Sequence, residues 1–389
     1  MLKLKFDWRD ILRAPRLALS LQRMWIQLLG FTVGYLFYLI FTYAAFAAAG
    51  LALETAWLQS GLLPCLFTVG ESLPWWAWLL YAVGCLMLFS ALMIANTAAA
   101  RAIYMTSKGN SFYSWKESYR FAFRKAASVL LTPISLVVII GLMVLGALVV
   151  GLLGKIPFVG ELGVSLFAPL WVLSALLLLF LAIVAVVSAV LAPSIIAATD
   201  EDAFEAVFQS FSMCWGRPWR FFFYESLTVV LSLASIAGLG FFIKQAVVIT
   251  NRLFAAFMGA DYINLSNNGQ ALLQGWTLPA QGLIDHLYGR FADMIFFARE
   301  FVMIPSAQLP VSVVISSYIF AVGLLFLAGW VVSYGLAAFT AGNTLLVLVI
   351  KKHKDDENLL ERKDAEEETE EEAKAEESPA AEETPTVKE

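Results

Sequence analysis

Glu225 is the residue with the most chemical potential: a lone carboxylate six positions after Trp219 in a long apolar run. A charge inside a membrane-crossing stretch is costly, and such a residue is a functional candidate by default. Two chemistries suit it. It pairs with Arg220 or another neighbour near the interface, or it carries a proton or an ion. Lys244, near the other end of that run, is long enough to snorkel and reads as an anchor. Lys155 and Glu161 read as interfacial. Asp285, His286 and Arg290 sit close together on an expected helix, where one histidine reads first as a surface residue. Cys65, Cys85 and Cys214 lie in different segments without CxxC spacing, which argues against a disulfide framework or a zinc site. His286 and His353 are the only histidines, which excludes a histidine-rich metal site and any relay of several imidazoles. No Walker loop, HExxH or GxSxG occurs. No catalytic residue, metal or cofactor is therefore expected, and the chain reads as a non-enzyme.

The elements that must position these residues follow from composition. Of 389 residues, 60 % are hydrophobic and 15 % charged, with mean hydropathy +0.75. Soluble proteins average about 45–50 % apolar and about 25 % charged. The expected fold is therefore all-α: a polytopic membrane helix bundle. Six spans are predicted, at about 27–50, 75–106, 129–153, 166–198, 219–246 and 311–350, each above the roughly 20 residues a crossing needs. The second, fourth and sixth are longer and tilt or project; the sixth alternatively breaks near Gly335 or Gly342.

Lys and Arg placement orients the spans. Residues 1–26 carry six (Lys3, Lys5, Arg9, Arg13, Arg16, Arg23), as do residues 101–127 (Arg101, Lys108, Lys116, Arg120, Arg124, Lys125). Arg217 and Arg220 precede the fifth span, and Lys351, Lys352 and Lys354 follow the sixth. Residues 51–74 carry none, and the 247–310 connection only Arg252, Arg290 and Arg299. Both termini are thus expected in the cytoplasm, with an extracytoplasmic insertion at 247–310. The first span is expected to act as an uncleaved signal anchor, because no short apolar core with a small-residue cleavage site follows the basic stretch.

Amphipathic helices are expected at 111–127 (Phe112, Trp115, Tyr119 and Phe123 against Lys116, Arg120 and Arg124) and at 202–215 (Phe204, Val207, Phe208, Phe211, Trp215). Thr199, Asp200, Glu201 and Asp202 form an acidic start to the second. The N-terminal segment with Phe6, Trp8, Ile11 and Leu12 looks similar until Pro15. These segments are joints between spans, or they recognise lipid headgroups through Arg9, Lys116, Arg120, Arg124, Arg217 and Arg220, or they dock a partner.

The order amphipathic helix, span, long span occurs three times, in units of about 1–106, 111–198 and 202–351 within a membrane domain 1–350, which suggests a three-fold parallel repeat. Ala95-Asn96-Thr97 aligns with Gly342-Asn343-Thr344, and the middle unit has Ser188 and Ala189 there. Three long spans would then surround a common axis with polar residues at one depth. Asn96, Ser188 and Asn343 serve helix contact, or else a polar constriction or headgroup niche. Residues 351–389 hold 7 Lys/Arg against 16 Asp/Glu, and the rest of the chain 19 against 15. The acidic tail is expected to be disordered, either solvating or docking a basic protein partner. Nucleic acid is not an expected partner, since no concentrated basic face accompanies such a tail; membrane lipids are.

The run Ala192-Pro193-Ser194-Ile195-Ile196, then an acidic cap, Phe204-Glu205-Ala206-Val207 to Ser210, and Trp219, resembles a recurrent pattern in poorly characterised bacterial polytopic proteins. The nearest family is the membrane domain attached to some bacterial glycerophosphodiester phosphodiesterases, over mainly 166–245 and more widely 75–245. The resemblance implies a multi-pass inner-membrane protein near lipid metabolism or envelope organisation. This chain contains no phosphodiesterase domain, so catalysis is not carried over. The expected function is a scaffold or lipid-interacting accessory subunit, with a transporter or permease for a small solute or lipid as the alternative.

Overall fold

A computed structural model describes residues 3–68, 73–110, 112–296 and 302–362. Among them there are helices and no strand. Two short helices, α1 (Trp8–Ile11) and α2 (Ala14–Ala18), lead into α3 (Leu21–Ala48), and α4 (Leu53–Ser60) connects it to α5 (Trp75–Lys108). Then come α6 (Trp115–Arg124), α7 (Ala126–Leu153), α8 (Val159–Leu166), α9 (Ala168–Thr199) and α10 (Ala203–Gly216). The last part holds α11 (Pro218–Met258), α12 (Ala260–Trp276), α13 (Leu278–Tyr288), α14 (Ala292–Ile295) and α15 (Val311–Asp355). Six of these, α3, α5, α7, α9, α11 and α15, are long and apolar enough to cross a membrane. In hydrocarbon every backbone polar group must be satisfied within its own segment, so such runs become helices.

Each of these helices keeps its expected place. At 45 residues, α15 spans roughly 67 Å, about twice a hydrocarbon core, so it projects well beyond one. It does not break at Gly335 or Gly342. A Cβ at Gly335 would meet Ile236 Cδ1 at 2.5 Å, and one at Gly342 would meet Thr228 Oγ1 at 2.7 Å. Those glycines admit α11 rather than a kink.

The spans pair as α3 with α5, α7 with α9 and α11 with α15. The later helix of each pair lies inside, and the last thirds of α5, α9 and α15 meet. Arg101 Nη1 donates to Ala197 O at 3.0 Å, tying α5 to α9. Ser194 Oγ lies 3.4 Å from Thr344 Oγ1, tying α9 to α15. Thr340 Oγ1 lies 3.1 Å from Asn96 Oδ1, tying α15 to α5. Residues 340–351 of α15 are buried on every side, the polar Thr340, Asn343, Thr344 and Lys351 among them. The resemblance motif 192–196 lies in the same buried block.

The basic connecting segments gather at this closed end, called the basic end below. α6 starts in a capping box: Ser114 N–H donates to Glu117 Oε2 at 2.6 Å and Glu117 N–H to Ser114 Oγ at 3.3 Å. The N-terminal segment breaks just before Pro15, at Leu12 and Arg13 between α1 and α2, and Pro15 occupies the first turn of α2, where its missing N–H costs nothing. The acidic run before α10 also differs from expectation. Asp202 holds the cap position without a side-chain bond, while Asp200 ends α9 in the left-handed region (φ +57°) and pairs with Lys125 at 3.0 Å. Glu201 pairs with Arg362 at 3.1 Å.

The chain does not leave the bundle after residue 350. α15 runs to Asp355, and Leu359 and Leu360 are buried against Tyr104 and Tyr113, with Tyr104 Oη donating to Leu359 O at 2.8 Å. Two apolar side chains amid acids provide the burial that a solvating tail lacks. The remaining tail, 363–389, lies outside the described residues.

The far end is open. Beyond Val137 on α7 and before Val184 on α9, most side chains are exposed and apolar, among them Leu142, Leu148, Leu152, Leu173 and Leu177. The 247–310 connection is mostly helix. α11 continues to Met258 and turns at Gly259 (φ +61°), and α12 packs on α15. A Cβ at Gly269 would lie 2.7 Å from Phe320 Cδ1. Asn267 Nδ2 donates to Val302 O at 2.7 Å, and Asn268 Oδ1 accepts from Ile304 N–H at 2.9 Å. These amides fasten the approach to α15 onto α12. Residues 278–295 divide between α13 and α14; residues 297–301 and the Leu283 side chain lie outside the described part.

Candidate functional site

Two groupings of polar residues stand out, one inside the closed end and one around it. Inside, Gln27, Asn96 and Thr340 bring α3, α5 and α15 together. Gln27 Nε2 donates to Asn96 Oδ1 and to Thr340 Oγ1, each at 3.0 Å. Asn96 therefore meets Thr340, one turn before the Asn343 that the aligned sequence suggests. Asn343 is 1 % exposed and its Oδ1 has no partner among the described residues. The same holds for Ser188 Oγ on α9 and Thr228 Oγ1 on α11, both fully buried. Amides and hydroxyls joining helices in this way are common in membrane bundles.

Glu225 is half-buried on α11, one turn before Thr228, and its Oε2 has no partner among the described residues. It does not pair with Arg220. Five helical residues turn the chain by about 140°, so the exposed Arg220 points away from it. Lys244 is not a snorkelling anchor either. Its ammonium donates to Asp293 O and, at 2.8 Å, to Phe296 O, which pins the α14 segment to α11. Asp285, His286 and Arg290 are all exposed, and Arg290 lies past the end of α13.

Sequence reasoning did not single out Gln27, Thr228 or Thr340, and it placed Arg101 only among the cations that orient the spans. Gln27 was visible as a lone amide within the first apolar run. Arg101 is fully buried within α5, its guanidinium 4.3 Å from the Phe121 ring centre and 5.5 Å from that of Tyr104. No Gly or Pro lies between Arg101 and Gly109, so the helix continues through it.

Around the closed end, Arg9, Lys116, Arg120, Arg124, Arg217 and Arg220 are all exposed. Exposed rings accompany them: Phe112, Phe123, Phe204, Phe208, Trp215 and Trp219. Lys116 lies over Trp115 at 5.7 Å and Arg9 over Trp8 at 5.8 Å. The buried side of α10 holds Cys214, and burial pushes that thiol up to about 11. A free cysteine has a pKa of about 8.5. Cys214 should therefore stay protonated at pH 8 and react with maleimide roughly 100-fold more slowly than a free thiol, recovering on unfolding; rapid labelling of the folded protein would contradict this.

A third feature lies toward the far end. A cavity of about 270 Å³ separates α11, α12 and α15, with mainly apolar walls. Among the described residues, no group of three or more His, Cys, Asp or Glu could hold a metal ion. No protein-family model, curated protein or solved structure matches the chain.

Proposed function

We propose that this is a non-enzymatic multi-pass protein of a bacterial inner membrane, a scaffold or accessory subunit that engages lipid at its basic end. The carrying observation is the collar of six exposed cations interleaved with exposed aromatic rings at the one end where the spans close. Rings of this kind settle at the headgroup level, and the cations attract anionic lipid at about 1 kcal/mol each. The excess of Lys and Arg assigns that end, with both termini, to the cytoplasm. The acidic tail starts there, at Arg362, where a basic protein partner would find it.

Gentle purification from native membranes with lipid mass spectrometry tests this reading. Joint Lys116→Glu, Arg120→Glu, Arg217→Glu and Arg220→Glu substitution should at least halve the anionic lipid retained per chain. Unchanged retention in a folded variant would overturn it. A transporter is the second reading, favoured by the partnerless buried oxygens of Glu225, Thr228, Ser188 and Asn343. It requires Glu225→Gln to abolish a solute flux that the collar variant leaves intact.

A further inference from the structure

We infer that the cavity between α11, α12 and α15 is a binding site for one acyl chain of a far-leaflet phospholipid. The inference rests on the reading that these helices lie in a membrane and take up lipid. Ile236, Gly240, Leu273, Ile284, Leu327 and Val331 supply apolar walls. Among the described residues Lys244 is the one charged side chain in its lining, and that ammonium is bonded to Asp293 O and Phe296 O. An apolar cavity of about 150 Å³ already stays dry and takes up hydrocarbon; this one is larger, at about 270 Å³.

Its depth selects the occupant. Gly240 lies 22 residues into α11, roughly 33 Å from Pro218, about one hydrocarbon thickness from the basic end. The cavity thus straddles the far boundary of the hydrocarbon, with Ile236 on its inner side and Lys244 and Val247 on its outer side. Val332 lines the cavity and is exposed, so the hydrocarbon surrounding α15 has access at that edge. Gln270, Gln274 and Gln281 gather along the α12–α13 side of the lining. Gln270 Nε2 already donates to Ser266 Oγ at 3.4 Å and Gln281 Nε2 to Gln274 O at 3.5 Å, and each keeps a second N–H that can donate to the ester carbonyls capping an acyl chain. The α14 segment closes the opposite side, held by the bonds of Lys244 to Asp293 O and Phe296 O.

The test uses the full chain in vesicles of phosphatidylethanolamine and phosphatidylglycerol at three to one. A trace of phosphatidylglycerol carries a photoactivatable diazirine midway along one acyl chain. After irradiation, adducts at Leu273, Ile284 and Leu327 should exceed those on the exposed face of α7 at least five-fold per residue. Leu327→Trp and, separately, Gly240→Phe should reduce them at least five-fold while retention of anionic lipid at the collar stays unchanged. The collar variant should leave the adducts unchanged, so failure of one site is distinguishable from failure of the other. Equal labelling of the cavity wall and α7, or filling variants without effect, would overturn the inference.

Discussion

Gly30→Leu should lower stability by about 3 kcal/mol or more, the upper range for overpacking a tight interior. Even a Cβ at Gly30 would sit 2.2 Å from Ala95 Cβ and 3.4 Å from Ala95 Cα, with Tyr119 Oη at 3.1 Å. Ala95 belongs to the α5 backbone itself and cannot swing aside, so α3 must move. One turn away, that movement would part Gln27 from Asn96 and loosen the 2.7 Å bond from Tyr119 Oη to Ile26 O. The thermal midpoint in detergent, followed by size-exclusion chromatography, is the measurement. Gly146→Leu on α7 is the control, since nothing lies within 4 Å of a Cβ there. If Gly30→Leu behaves like the control, the close α3–α5 approach is wrong.

Replacing Arg101 should cost different amounts according to what fills its place. Arg101→Ala removes the bond to Ala197 O and opens a void beside Phe121. Large-to-small changes in an interior cost about 2–5 kcal/mol. A carbonyl left without its donor adds about 1–3 kcal/mol. Arg101→Met keeps most of the volume and removes a guanidinium that had to be stripped of water. Met also leaves Ala197 O without its donor, so the expected order of thermal midpoints places Met about 1–3 kcal/mol below wild type and Ala about 2–5 kcal/mol lower still. Equal loss in the two variants would mean that the charge, not the packing, is what the closed end requires.

The close approach at Gly30 was legible in outline. Gly30 and Gly34 are four apart on an apolar helix, the spacing that lets membrane helices meet. Nothing in that spacing names the partner. Ala95 and, for Gly34, Ala91 are two of many alanines in the chain. Arg101 was illegible for a related reason. A cation near the end of an apolar run looks the same whether it faces headgroups or turns inward beneath an aromatic ring.

Hydropathy and charge placement alone determined that the chain forms six long apolar helices and where each lies. Lipid leaves a backbone no partner but its own helix, so run length suffices. They also indicated that the basic connecting segments alternate with others nearly free of cations. Only the tertiary structure decided which faces meet. Exposed and buried faces of a membrane helix are equally apolar, as on α7 and α9, so no periodic signal separates them. Contact then depends on small residues and single polar groups whose partners lie far off in sequence. Gln27 and Thr340 are 313 residues apart, and Ser194 and Thr344 are 150. The docking of Leu359 and Leu360, the return of α12 along α15, and the cavity behind it share that cause: each is set by the shape left between helices, which no single helix encodes.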